Sequence, residues 1–475
     1  MLQRGRRDLP GEDDMVRHRR GNGTVLRRAR ALRWAWGAAI LLLGLALASV
    51  GTAGTLAERV SETTLANGLK ILILEEPKAP VVTVQVWYKV GGRNEPTGKT
   101  GISHMLEHMM FKGTPKVSGK DFDAIISRNG GVNNAETQMD FTGYYEDFAA
   151  DRASLGLELE ADRMANLKIS EEDFTSEHQV VIEERRLRID DQPANTLGEM
   201  MRATSILAQA YRNPTIGWPS DTLAWTRDDL VQWYKTYYAP NNATVVLVGD
   251  VKKDVLLPTI RSLFEPIPRR PDPPKVITTE PPQLGERRVY VRKEAELPLL
   301  FVVHHAPPLT DPDSFPMSVL AGILGGGESA RFNQKVVYEK QLASYAGADY
   351  NPLHIDPFLF GFSAGPLPGK TAEEVEQALY AEVERLQKEG VTERELQKAK
   401  NQIEADFVFS LDSAHRMGEL LGRYESVASW KLLDGYLEGV RKVTAADVQR
   451  VAQKYLVPEN RTVAILIPVK AGAGK

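Results

Sequence analysis

A chain of 475 residues, 42% hydrophobic and 26% charged, holds enough apolar material for two or more globular domains and is neither disordered nor fibrous in composition. It has no cysteine, which excludes a disulfide framework, a thiolate metal site and a cysteine nucleophile. Residues 1–53 carry 10 of the 59 basic and 4 of the 63 acidic residues, leaving 49 basic against 59 acidic and a net of −10, which argues against nucleic acid as a partner.

The N-terminus reads as a leader. Arg27, Arg28, Arg30 and Arg33 precede an uncharged run at 35–53, which ends in small residues. This is the layout of a secretory signal peptide; a run of 19 apolar residues is also long enough to act as an uncleaved anchor and associate the chain with a membrane. Residues 1–57 are therefore expected to send the chain across an inner membrane, to the bacterial periplasm, with Met15 as an alternative start.

Beyond the leader, residues 69–74 and 81–90 are rich in Val, Ile and Leu and predict strands. Residues 100–111 predict a helix whose apolar positions are Ile102, Met105, Leu106, Met109 and Met110. Gly130 and Gly131 open an extended segment at 133–142, and helical patterns run from 151 to about 188. Strands are expected again at 289–291 and 299–304. Residues 226–248 and 444–466 align without gaps at a constant offset, with identities at Thr226/Thr444, Asp229/Asp447, Tyr237/Tyr455, Pro240/Pro458, Asn242/Asn460, Thr244/Thr462 and Val245/Val463. Each copy reads as a capped helix, a Pro-Asn turn and an apolar strand, so the chain looks internally duplicated. A Pro-rich stretch at 266–282 predicts a stiff linker between the copies. The expected fold class is α+β: two homologous domains, 58–265 and 283–470, each a mostly antiparallel sheet with helices packed on one face.

The chemistry concentrates at His104, Glu107 and His108. Their spacing puts all three on one side of the helix at 100–111. Two imidazoles one turn apart can hold one metal ion, and a Glu beside them reaches a water on that ion. The pattern is H-x-x-E-H, an inverzincin signature. A catalytic zinc also needs a third protein ligand, brought by another segment. Residues 171–190 read as a Glu-rich helix in which Glu177 and Glu184 share a face; for any single Glu there, a solvated acidic surface is the competing reading.

With these residues in place, the sequence resembles the pitrilysin/insulinase family of inverzincin zinc metallopeptidases, on the branch that includes the mitochondrial processing peptidases. The marks are Asn67, Gly68 and Leu69, the run at 101–108, Phe111 to Thr114, Gly130 and Gly131 with Asn134 to Thr137, the helix from Glu177 to Glu184, and Tyr237 to Asn242. They span residues 60–470 in family order. The resemblance implies one Zn²⁺ per chain held by His104, His108 and Glu184, which lies 76 residues after His108. It implies Glu107 as general base and Glu177 as the acid supporting a ligand. It further implies a chamber closed by dimerisation and a peptide or unfolded-protein substrate paired as an added strand with Asn134, Ala135, Glu136 and Thr137. Tyr345 falls at the family's substrate-binding Tyr, but the Arg expected seven residues before it is Tyr338, and Arg331 belongs to another position. That departure makes a heterodimer with a paralogous subunit the alternative to a homodimer, this chain being its zinc-bearing or scaffold subunit and inactive without a partner that supplies substrate-binding residues. His178 is read as a packing residue; His304, His305, His354 and His415 have no ligand pattern. Gly325, Gly326 and Gly327 are read as a turn rather than a phosphate loop.

Overall fold

The structure, a computed structural model, describes residues 55–470. The leader, the apolar run at 35–53 and Met15 lie outside the described residues. No helix among those described is long and apolar enough to cross a membrane.

The first half carries strands β1 (Val60–Thr64), β2 (Lys70–Glu75), β3 (Val81–Tyr88), β4 (Val132–Thr137), β5 (Thr142–Ala149) and β6 (Ala243–Gly249). Its helices include α1 (Ile102–Met109), α2 (Ala153–Asn166), α3 (Glu171–Arg185), α4 (Pro193–Ser205) and α5 (Arg227–Tyr237). The second half carries β7 (Arg287–Glu294), β8 (Leu299–Ala306), β9 (Ala343–Tyr350), β10 (Phe358–Pro366) and β11 (Arg461–Val469), with α6 (Ala414–Val427) and α7 (Ala445–Tyr455) among its helices.

The two sheets share one plan. The first runs β1-β2-β6-β3-β5-β4 and the second β7-β11-β8-β10-β9, the same order without the β1 edge. In each, one pair is parallel (β2 with β6, β7 with β11) and the remaining pairs are antiparallel. The repeated residues explain themselves in three dimensions. Thr226 with Asp229 and Thr444 with Asp447 form reciprocal capping boxes at the starts of α5 and α7. The Asn242 and Asn460 side chains donate to the carbonyls of Tyr237 and Tyr455, each at 2.9 Å, closing the turn that feeds β6 and β11.

Two boundaries differ from the sequence expectation. The segment at 133–142 is not one extended run: β4 ends at Thr137, and the chain reverses over 138–141 into β5. The helical run at 151–188 is two helices, because Ser170 accepts from the Asp173 backbone amide at 3.1 Å and caps a new start at Glu171. Residues 265–286 contain no helix or strand, as a Pro-rich linker demands.

Each half also sends one helix across to the other. The first sheet's far face, with Leu72, Leu74, Trp87, Val246 and Val248, is covered by Met417, Leu421 and Tyr424 of α6. The second sheet's far face, with Ala464 and Leu466, is covered by Leu197 of α4. The helices of each half lie on one face as expected, and the opposite face is closed by the exchanged helix. The chain from Leu56 onward is accordingly one compact unit. The exchange needs small residues on α6: a Cβ at Gly422 would sit 2.1 Å from Trp87 Nε1.

Candidate metal centre and active site

The metal-site helix α1 is set by its surroundings at both ends of the argument, sequence and packing. It starts at Gly101, whose φ of +85° suits glycine, and a Cβ there would lie 2.4 Å from the Ile216 carbonyl. No side chain of the cap residue satisfies the first turn. Instead Glu95, fully buried, accepts from the Gly101 and Ser103 amides at 2.7 and 2.9 Å. Burial pushes its carboxyl up to about 7, against the pull of those two amides. Ile102, Met105, Leu106 and Met109 enter the core, which turns His104, Glu107 and His108 towards α3. The helix α3 packs across α1 through Phe174 and Val181 and presents Glu177 and Glu184 to it.

Glu184 Oε2 lies 3.6 Å from His104 Nε2 and 3.3 Å from His108 Nε2. A zinc ion with bonds of about 2.0–2.1 Å in tetrahedral geometry needs its ligand atoms about 3.3 Å apart. The three side chains offer one atom each within 4.8 Å of one another, and they are the only such group of three or more among the described residues. Glu184 Oε2 is buried, makes no hydrogen bond of good geometry and has the two imidazoles as its neighbours, as a ligand atom for a cation would. The residues fit zinc in donor type, spacing and charge.

The neighbours tune each ligand. His108 Nδ1 pairs with Glu177 Oε1 at 2.8 Å, which turns Nε2 towards Glu184. Burial opposes charge on His108, but its contacts with Glu177 and Glu184 outweigh this and push it up to about 9. Burial pulls His104 down to about 4, helped by His108 beside it. The His108 contact holds Glu184 below the usual carboxylate range. Glu177 is raised by burial and lowered more by His108 and Lys112, so it stays ionised. Burial raises the Glu107 carboxyl, and the Thr137 hydroxyl, donating to Glu107 Oε2, partly offsets this.

Thr137 ends β4, an edge strand paired only with β5 among the described residues. Asn134, Ala135 and Glu136 lie on the same strand; Glu136 is tied at 2.7 Å to Arg423 of the exchanged helix α6. A cavity of about 370 Å³ opens from His104 and Thr137 and is closed by Arg188, Thr215 and Phe301. It shares Arg202, Thr215 and Phe301 with a second cavity of about 400 Å³ against β8 and β10. The site therefore opens between the halves. Tyr345 is not brought there: it stands 43% exposed on β9, the far edge of the second sheet, and lines neither cavity. Tyr338 is exposed on the wide turn Asn333–Glu339.

Among the described residues, the other histidines are held by ordinary packing or pairing. His178 contacts the Thr222 carbonyl at 2.6 Å and stacks on Phe174. His304 is buried, and burial pulls it down to about 3. His305 contacts the Ser205 carbonyl, His354 pairs with Asp140 and His415 with Asp147. Sequence reasoning missed Glu95 and Arg202, which no motif marks. It also missed the 2.8 Å pair of Arg188 with Glu184 Oε1, although the i, i+4 spacing was available.

Residues 70–218 match the family described as insulinase (peptidase family M16), and residues 224–403 match the domain described as the peptidase M16 inactive domain. The chain belongs to the M16 insulinase family. An M16 relative from Helicobacter pylori, zinc protease PqqE, is 34% identical over 85% of this chain and 92% of its own length. A Streptomyces coelicolor protein named as an uncharacterised zinc protease is 29% identical over 84% and 87%. The Arabidopsis thaliana probable mitochondrial-processing peptidase subunit beta is 25% identical over 86% and 78%. Among solved M16-like folds, a protease from Helicobacter pylori superposes with a TM-score of 0.83 at 33% identity, over 86% of this chain and 99% of that one. The periplasmic protease PqqL from Escherichia coli, at 17% identity, shows the same fold with a TM-score of 0.74; this chain matches 48% of its length.

Proposed function

We propose that this chain is a zinc-dependent endopeptidase acting on peptides or unfolded polypeptides, with His104, His108 and Glu184 holding one zinc ion and Glu107 as general base. The observation that carries the reading is the meeting of three ligand atoms within 4.8 Å beside a half-buried Glu107. Zinc bound there supplies a Lewis acid that acidifies water and polarises a carbonyl. Glu107 takes the proton of the attacking water and returns it to the leaving amine. Thr137 holds Glu107 in place through its hydroxyl. The open edge of β4 gives an extended peptide a row of free backbone groups, so the substrate lies as an added strand leading to Glu107. Relatives named as zinc proteases support this reading. Replacement Glu107→Gln should leave about one zinc per chain by elemental analysis and abolish peptide hydrolysis. His104→Ala should lose both. Hydrolysis that persists in Glu107→Gln would remove Glu107 from the role.

A second reading is favoured by Tyr338, which stands where the family Arg is expected, and by the match of residues 224–403 to an inactive domain. In it the chain is the zinc-bearing subunit of a closed dimer whose paralogous partner completes substrate binding. A purified chain that cleaves peptides alone, at the mass of a monomer or homodimer, rejects it. The proposal extends to location: export to the bacterial periplasm through the leader at 1–57, checked by the N-terminal mass of the protein recovered from that compartment.

A further inference from the structure

Past the metal ligands the cavities run between the halves, and one cation there lacks a partner. Arg202, on the last turn of α4, lines both the cavity holding His104 and Thr137 and the one against Val303 and Phe362. Among the described residues its guanidinium makes no ion pair and no hydrogen bond; its aromatic contact is the Phe358 ring at 6.0 Å. The acid one turn back, Glu199, is taken by Arg185 at 2.9 and 3.0 Å. Arg188 in the same cavity is paired with Glu184, and Asp349, which lines the second cavity, makes no ion pair with Arg202. A guanidinium does not give up its proton, and one withdrawn from water without a counter-ion is costly. The buried arginines of this chain obey that rule: Arg163 pairs with Glu146 and Glu160, and Arg185 with Glu199. Arg202 is half-buried and, among the described residues, has no such partner, and it faces the two cavities beside His104 and Thr137. A peptide lying along β4 and continuing past Thr137 enters that volume, and the anion a peptide offers is a carboxylate, which matches the planar guanidinium fork.

We propose that Arg202 is a specificity-determining residue whose guanidinium binds a carboxylate of the substrate peptide, from an acidic side chain or a free C-terminus, to one side of the scissile bond. The proposal rests on the peptidase reading, and the test separates the two. Matched fluorogenic peptides carry Glu, Gln or Lys at one position at a time on both sides of the cleavage point, and each ends in a free acid or an amide. The zinc-loaded wild type should prefer Glu at one position, or acid over amide, by roughly 10-fold to 100-fold in kcat/KM, the range of a charged hydrogen bond. Arg202→Gln should bring that ratio close to one, Arg202→Lys should keep part of it, and Arg202→Glu should invert it in favour of Lys. The same ratios should be read in binding, by fluorescence anisotropy on Glu107→Gln with and without Arg202→Gln, where no turnover is required. A wild type that discriminates at no position and between no termini, or a preference that survives Arg202→Gln and Arg202→Glu, overturns the subsite. Carboxylate-dependent binding through Arg202 in a zinc-loaded chain that cleaves nothing upholds the subsite and overturns the peptidase reading.

Discussion

Glu177 touches the proposed metal site only through His108, so its replacement isolates what an outer carboxylate contributes. Its Oε1 holds His108 Nδ1 at 2.8 Å, and its Oε2 accepts from Lys112. The carboxylate is mostly buried, with a side-chain exposure of 9%, so water is a poor substitute. In Glu177→Gln the amide oxygen can still accept from Nδ1, but the charge is gone and Lys112 loses its counter-ion. In Glu177→Ala both the acceptor and the charge are gone, and His108 is free to rotate. Removing an outer partner of a metal-bound histidine costs about 10-fold to 100-fold in affinity. We expect Glu177→Gln near the lower figure and Glu177→Ala near the upper, which is about 1.4 and 2.7 kcal/mol. The assay is zinc competition against a chromophoric chelator at fixed pH, with Lys112→Met as the control for loss of the ion pair alone. If both Glu177 variants hold zinc within about threefold of wild type, the reasoning that Glu177 orients His108 is refuted.

Three further outcomes follow from the fold. Arg163 is buried between Glu146 and Glu160 and lies over the Phe111, Phe122 and Tyr144 rings, so Arg163→Met should strand two buried carboxylates and destabilise by about 3–5 kcal/mol in urea unfolding. Gly422→Ala should force α6 away from Trp87 and cost about 1–3 kcal/mol, seen as a lower Tm; an unchanged Tm would mean that the exchanged helix is not packed as described. His415 is raised to about 9, first by its hydrogen bond with Asp147 and then by Glu419, with burial opposing. A folded value above the unfolded one of about 6.5 means stability that is fully present below pH 6.5 and lost as pH rises through 9. The pair is partly exposed, so about 1–2 kcal/mol survives screening, and His415→Gln should flatten the fall in Tm between pH 6.5 and 9.

Some of this protein was legible without its structure because the interactions involved are local. Helical periodicity alone puts His104, Glu107 and His108 on one side of α1, and Glu177 and Glu184 on one side of α3. The duplicated capping boxes and Asn turns are contacts within a few residues, so their repetition along the chain predicts two sheets of one plan. A Glu-rich helix does not by itself say which acid faces the imidazoles. Packing of α3 on α1 puts Glu184 beside both imidazoles and leaves Glu183 on the surface, paired with Arg186.

The remainder depended on contacts between segments far apart in sequence. An apolar stripe on α4 or α6 announces that a face is buried but not against which sheet, and each crosses to the opposite half. Nothing in residues 132–137 marks β4 as an edge; that follows from the strands that do not pair with it. Glu95 and Arg202 carry no motif because burial gives the first its character and the lack of an ion partner among the described residues gives the second its own, and both are properties of the assembled fold. The short-range code thus determined which donor side chains share a helix face. The tertiary structure alone brought Glu184 against both imidazoles, made β4 an edge and left Arg202 facing the cavities without an ion partner among the described residues, because desolvation and pairing exist only after distant segments have met.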